Sequence, residues 1–328
     1  MKDVHAELRD LVDDITAGPG DPDRLWDTVV GLGLHTIGVP EGDGGSGGDV
    51  ADLATVVRRF AHRAASVPVA EHAVAAWALT CAGWPLPAGG PLAVVFGGVP
   101  GVGGPYPAVP WGRRATGLVV VGSDDVVRYV DLAGRRVVVG EGANLAGEPR
   151  DAVDPGDIPL AHLAGAPDAD VIRARIATLR AAALAGACAG AYELTRSYVK
   201  ERRQFGRPLI DIPAVAGSLA TMKVTGLQVN AAVDRAVDLH AGTTGPETLL
   251  AAAAVARVVA AEAADTVARL AHQLHGAMGV TREYGLHPLT TRLWAWRDEY
   301  GDEESWARLL GAHATDGGEL DLWERLTG

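Results

Sequence analysis

The sequence predicts a mainly α-helical chain with one small central β domain, and three observations carry that prediction. Apolar residues recur at helical spacing over the first 84 residues, a valine-rich stretch cut by turns follows, and helical periodicity then runs from Pro167 to residue 311. At roughly 150 residues per domain, a chain of 328 residues holds two or three modest domains. The expected boundaries are 1–84 for an N-terminal helical domain, 85–162 for a shortened β domain, and 163–328 for a C-terminal four-helix bundle.

Val4, Leu8, Leu11, Val12 and Ile15 share one face of the first helix, with Asp10, Asp13 and Asp14 opposite, and Gly18-Pro19-Gly20 ends it. Helical patterns resume over 22–33, 49–65 and 69–83. The loop Gly42 to Gly48 interrupts them with too many glycines for a regular element. Pro85, Pro87, Gly89, Gly90 and Pro91 then change the composition. The runs 92–96, 117–121, 126–130 and 136–139 are β-branched and separated by Gly/Asp turns, as in an antiparallel sheet. Four long helices are expected beyond Pro167, over 168–202, 213–241, 246–275 and 286–311. In the third, Arg257, Glu262, Asp265, Arg269 and His272 draw a polar stripe on an Ala/Val/Leu cylinder, the pattern of a helix buried on most sides.

Composition excludes several functions. Lys and Arg number 29 against 41 Asp and Glu, a net charge of −12 that opposes a non-specific grip on nucleic acid or an anionic membrane and leaves room only for a local basic pocket. Two cysteines, Cys81 and Cys188, without CxxC spacing indicate neither a disulfide framework nor a zinc site. With no apolar leader and no uncharged membrane-length run, the expected location is the cytoplasm. Aromatics supply 5% of residues, so the core is built from Ala, Val and Leu, and small side chains let helices pack closely.

Most motifs have ordinary readings. Gly42 to Gly48 lacks the GK[ST] ending of a phosphate loop, and prolines keep Gly98 to Pro105 from leading into a helix, so both read as flexible connections. His272 and His275 are three apart, but no third ligand is near in sequence, so they read as packing or capping residues and no metal is expected. No GxSxG elbow supports a hydrolase.

Tyr198 to Leu209 reads YVKERRQFGRPL. Cations followed by Gly and Pro are an ordinary helix stop. However, RRQFGRPL followed by a helix, then Gln273 to Tyr284 as QLHGAMGVTREY, resembles the acyl-CoA dehydrogenase family. Val39-Pro40-Glu41 with its glycine loop and Asp49 to Phe60 resembles that family's N-terminal helical segment, so the resemblance covers most of the chain. It implies the helix, β-barrel or sheet, and four-helix-bundle architecture, with FAD bound across a subunit interface. The matching cofactor-binding positions are Arg202, Gln204, Phe205, Gln273 and Gly276. Arg202 would face the flavin pyrophosphate, and Gln273 and the backbone near Gly276 would contact the adenosine half.

The implied reaction is α,β-dehydrogenation of an acyl-CoA thioester, in which a carboxylate removes the α-proton and the flavin takes the β-hydrogen as hydride. The family's base position falls on Tyr300, and Glu299 is one residue early. One residue on a helix turns a side chain by ~100°, so Glu299 is the catalytic candidate only where the backbone compensates. The alternative position on the first bundle helix has no acidic residue between Asp170 and Glu193. A flavin-contacting Gln is replaced at Ile212-Pro213, and the middle domain lacks the TEPxxGSD segment.

These departures resemble short subunits that pair with a sister acyl-CoA dehydrogenase subunit in a heterotetramer. The expected function is therefore a partner that completes the FAD site, with an electron-transfer flavoprotein as the family's acceptor. Two alternatives stand beside it, a homo-oligomeric dehydrogenase using Glu299 or a nearby carboxylate, and a dehydrogenase of carrier-protein thioesters.

Overall fold

The computed structural model describes residues 3–18, 21–98, 105–281 and 284–317, together with 320 and 323. In chain order the elements are α1 (Val4–Thr16), α2 (Pro22–Gly31), α3 (Val50–His62), α4 (Val69–Cys81), β1 (Leu92–Phe96), β2 (Tyr106–Pro110), β3 (Gly117–Val121), β4 (Val127–Asp131), β5 (Val138–Gly140), β6 (Arg150–Val153) and β7 (Ala161–His162). There follow α5 (Ala169–Glu201), the short strands β8 (Arg203–Gln204) and β9 (Arg207–Pro208), then α6 (Pro213–Leu239), α7 (Pro246–His275), α8 (Leu286–Arg297) and α9 (Glu303–Gly317). The chain is mainly helical with a small β region, as expected. It forms two compact units, one of Gly18–Leu53 and Ser66–Ile176, the other of Met1–Ala17, Ala54–Ala65 and Ala177–Gly328.

In the first unit, Asp21 starts α2 by accepting from the Asp23 amide, with Pro22 in the first turn, where its missing N–H removes no helix bond. The glycine loop is folded rather than a flexible connection. Gly38 N–H donates to Gly47 O and Gly47 N–H to Val39 O, both at 2.8 Å, and Ser46 Oγ donates to Gly33 O at 2.7 Å. Gly45 is needed because a Cβ there would stand 2.2 Å from Val39 O. The second glycine loop falls largely on residues outside those described.

Two sheets enclose the β core. One has the order β1-β3-β4-β7 and the other β2-β6-β5. The expected strands form, but β1 and β3 pair in parallel, with Leu92 opposite Gly117, where an antiparallel sheet was expected. The cause is β2, which leaves the first sheet for the second and turns the link from β1 to β3 into a crossover, the connection a parallel pair requires. Val95, Leu118, Val120 and Val130 share one buried cluster with Val109 and Val153 of the second sheet. Helix α4 is buried along most of its length and is tied to β1 by the Leu92 N–H, which donates to His72 Nδ1 at 3.1 Å.

In the second unit, α5 from Ala177 onward packs through small residues. A Cβ at Gly186 would lie 2.1 Å from Arg58 O, and one at Gly190 2.4 Å from His62 O, so glycine lets α3 and α5 cross backbone to backbone. The helices expected over 168–202, 213–241 and 246–275 match α5, α6 and α7 within two residues at each end. The expected fourth helix, 286–311, is instead two, α8 and α9, separated by a turn in which Tyr300 (φ 59°) and Gly301 (φ 105°) are left-handed.

Candidate cofactor corner and the Glu299 turn

The RRQFG segment becomes a tight hairpin at the end of α5. The Arg202 N–H closes the helix on Tyr198 O at 2.8 Å, and Arg202 O accepts from the Leu209 N–H at 2.8 Å, which pins the hairpin's base. Arg203 pairs with Pro208 and Gln204 with Arg207. The two-residue tip, Phe205 and Gly206, has φ of 51° and 79°, the double left-handed turn that suits strand twist. Glycine adopts this freely, whereas phenylalanine does so at a cost of roughly 1–3 kcal/mol. Phe205 is 89% exposed, so among the described residues packing does not account for holding it there.

Helix α7 ends beside this hairpin. Tyr198 stacks on His275 with centroids 4.5 Å apart, so the C-terminal ends of α5 and α7 meet. Since a carbonyl only accepts, the 2.8 Å contact to Ala271 O places the His275 proton on Nδ1, and burial lowers the ring's pKa. His272 stacks on Trp294 and contacts Thr290 Oγ1 at 2.9 Å, so both rings engage the protein. Gln273 is exposed two residues before the end. Gly276 then takes φ 57° and ψ −139°, and a Cβ there would meet nothing within 4 Å, leaving bare backbone facing open space.

Arg202, Gln204, Phe205, Gln273 and Gly276 are therefore exposed at one end of the helical unit. Arg202, Arg203 and Arg207 cluster there in a chain that is acidic overall. An anionic pyrophosphate, a planar ring system and a close backbone approach fit these donors, the exposed phenyl ring and the bare glycine. The residues present fit FAD.

Glu299 lies in the other notable feature of this unit. Its carboxylate is 3.1 Å from the Arg180 guanidinium, and both side chains are largely buried, at 16% and 6% exposure. Arg180 in turn lies over the rings of Trp296 at 5.4 Å and Tyr300 at 5.5 Å. The turn itself is held by Arg257 of α7, which is 1% exposed and donates to Arg297 O at 2.7 Å, Glu299 O at 2.9 Å and Gly301 O at 3.0 Å. A cation on the terminal carbonyls of α8 is favourable both by hydrogen bonding and by the helix dipole. Burial lowers Arg257 to about 9.

Sequence reasoning found Glu299 and missed both of its supports. Arg257 was visible in the polar stripe of α7, but its target was not. Arg180 stands alone in an alanine-rich run, and a lone cation among alanines was the available signal.

The family model for the acyl-CoA dehydrogenase C-terminal domain matches residues 171–313. Acyl-CoA dehydrogenase IpdE2 of Mycobacterium tuberculosis is 30% identical over 82% of this chain and 79% of its own length. This chain belongs to the acyl-CoA dehydrogenase family. Acyl-CoA dehydrogenase FadE34 of the same organism is 29% identical over 94% of this chain, which spans only 44% of the FadE34 length.

Solved structures agree on the fold of this acyl-CoA dehydrogenase family member. A chain of the ChsE4-ChsE5 complex from M. tuberculosis superposes with a TM-score of 0.82 at 20% identity, covering 96% of this chain and 98% of that one. A variant of the Tcur3481-Tcur3483 steroid ACAD gives 0.82 at 23% identity, with 95% and 98% covered. Butyryl-CoA dehydrogenase from Megasphaera elsdenii gives 0.77 at 18%, with 96% and 99% covered. The family is one of FAD-dependent oxidoreductases. Among the described residues, no helix is long and apolar enough to cross a membrane.

Proposed function

We propose that this chain is the partner subunit of a heterotetramer, completing a FAD site for α,β-dehydrogenation of an acyl-CoA thioester whose α-proton is removed by a carboxylate of the sister subunit. The observation that carries this reading is the Arg180–Glu299 pair. A general base must face the proton it removes, within hydrogen-bond reach. Glu299 faces a guanidinium of its own chain, in a turn whose carbonyls Arg257 fixes, so it serves as a counter-ion.

FAD, when bound, supplies the electron sink for the β-hydrogen. Arg202 of this chain would neutralise the pyrophosphate, Gln273 would bond the adenosine half, and Gly276 would admit it against the backbone. The fold's occurrence in the two-chain ChsE4-ChsE5 and Tcur3481-Tcur3483 assemblies supports a heteromer.

Flavin absorbance and molar mass test the reading, with the chain purified alone and then co-expressed with its genomic neighbour. The expected result is little flavin alone and about one FAD per two chains in a mixed tetramer. One FAD per chain in a homo-oligomer overturns it. Arg202→Ala is expected to lower flavin retention in the mixed complex, and unchanged flavin content removes Arg202 from the site.

A further inference from the structure

A small cleft opens in the helical unit where α1, α3, α5 and α6 come together. It encloses about 150 Å³, and its walls include Arg9, Arg58, Arg59, His62 and Asn230, with Gly186 among the small residues of α5 that line it. Among the described residues, none of its lining side chains is acidic. The lining guanidiniums are each paired with a carboxylate that lies outside the lining, Asp3 for Arg9, Asp234 for Arg58 and Asp13 for Arg59, so the cleft itself presents N–H donors.

The four cationic or titratable groups differ in how far they are already satisfied. Arg59 is saturated by Asp13, which takes both its Nε and its Nη2, while Arg63 bonds the same carboxylate at 2.8 Å. The Arg59 Nη1–H donates to His62 Nδ1 at 3.3 Å, so the His62 proton is on Nε2 and goes to Glu193 at 2.9 Å. Burial holds His62 neutral despite Glu193. Arg58 meets one carboxylate oxygen, that of Asp234 at 2.6 Å, and its Nε is buried without an acceptor. Among the described residues, Arg9 is paired with Asp3, at 3.6 Å. Five donors on each guanidinium leave Arg9 and Arg58 with spare capacity. Asn230 spends one amide hydrogen on Gly226 O at 2.9 Å and keeps the other.

We infer that this cleft binds a small oxyanion, a phosphate, sulfate or carboxylate group held between the Arg9 and Arg58 guanidiniums. Planar guanidinium forks match oxyanion geometry, and two of them address such a group from α1 and α3. The volume is well below the ~300 Å³ at which pockets for drug-sized ligands begin, so the site takes one anionic group and neither a nucleotide nor a flavin. The residues are separate from Arg202, Gln273 and Gly276 and from Glu299, so the inference does not rest on the proposed function. Its occupant would tie α1 and α3 to the bundle.

The test is the thermal midpoint of the full chain against inorganic phosphate, with sodium chloride holding ionic strength constant. A ligand that binds only the folded state raises the midpoint saturably. Arg9→Gln and Arg58→Gln are each expected to raise the half-saturating phosphate concentration about tenfold or more, since each removes a charge-assisted contact. Arg9 is half-exposed, so its variant folds even where Arg58→Gln does not. A rise that chloride reproduces in full, or one undiminished in Arg9→Gln, overturns the site. Parallel titrations with an alkyl phosphomonoester and with acetate identify the source. A phosphomonoester acting at lower concentration than phosphate makes the occupant the anionic end of an organic ligand, and phosphate acting first makes it the free ion.

Discussion

Glu299 is a residue of the right type one position from the family's base, and its carboxylate is taken up by Arg180 of its own chain. Its pairing with Arg180 is between largely buried groups, where removing one partner strands the other charge at a cost of about 3–5 kcal/mol. Glu299→Gln is therefore expected to lower the urea unfolding midpoint of this chain while leaving turnover of a reconstituted complex within a few-fold. A base lost from the reaction would instead cost several orders of magnitude in kcat, and that result would return Glu299 to the chemistry. Arg257→Met removes donors from the carbonyls of Arg297, Glu299 and Gly301, and hydrogen bonds to a charged group contribute ~1.5–3 kcal/mol each. The expected loss is about 3 kcal/mol or more, with the Tyr300 turn loosened first. Hydrogen exchange of the 298–302 amides, faster in the variant while α5 stays protected, checks the locality of the effect.

At the scale of elements, what was legible depended on whether the signal was local. Helices α1 and α7 follow from apolar spacing and from Pro246 at the start of α7, and the strand runs follow from β-branching and turns. Pairing direction is not local, because continuous apolar runs such as those of β1 and β3 can be read as buried strands without fixing which way the partner runs. The break between α8 and α9 was hidden for another reason. It depends on a left-handed tyrosine that Arg257 stabilises from a different helix. The candidate cofactor corner was legible as two motifs, and the Tyr198–His275 stack is what brings them to one place. Helix α4 carries a titration of its own. His72 is buried against β1, His35 and Trp26, and burial, aided by His35, lowers it to about 3. A histidine depressed in the folded state favours folding above its unfolded value of 6.5, and that contribution drains as pH falls from there toward 3. Going from pH 7 to pH 5 is expected to cost roughly 2 kcal/mol through this group. His72→Asn keeps an acceptor for the Leu92 N–H without the titration. Its urea stability is expected to be flatter over that range, and an unchanged slope would assign the acid sensitivity elsewhere.

For the molecule as a whole, composition sets which mutations the core tolerates. Apolar types make up 48% of residues while aromatics make up 5%, and the helical core accordingly contains fully buried alanines such as Ala181, Ala182, Ala253 and Ala264. An alanine-built core has little side-chain volume to lose, and its helices sit close because nothing separates them. Truncation therefore opens only small cavities, while each added methyl must displace backbone or a neighbouring helix. The two glycines of α5 are the sharpest case, because the atoms they face are carbonyl oxygens of α3, which cannot rotate away as a side chain could. Gly186→Ala and Gly190→Ala are each expected to destabilise by about 1–3 kcal/mol despite improving helix propensity by ~1 kcal/mol, so packing outweighs propensity. Gly217→Ala in α6, where a Cβ meets nothing within 4 Å, is the matched control and is expected to be neutral or stabilising. Urea denaturation of the three variants decides it. Equal gains at all three positions would mean that α3 and α5 can separate freely, and that small residues there reflect composition rather than a close crossing.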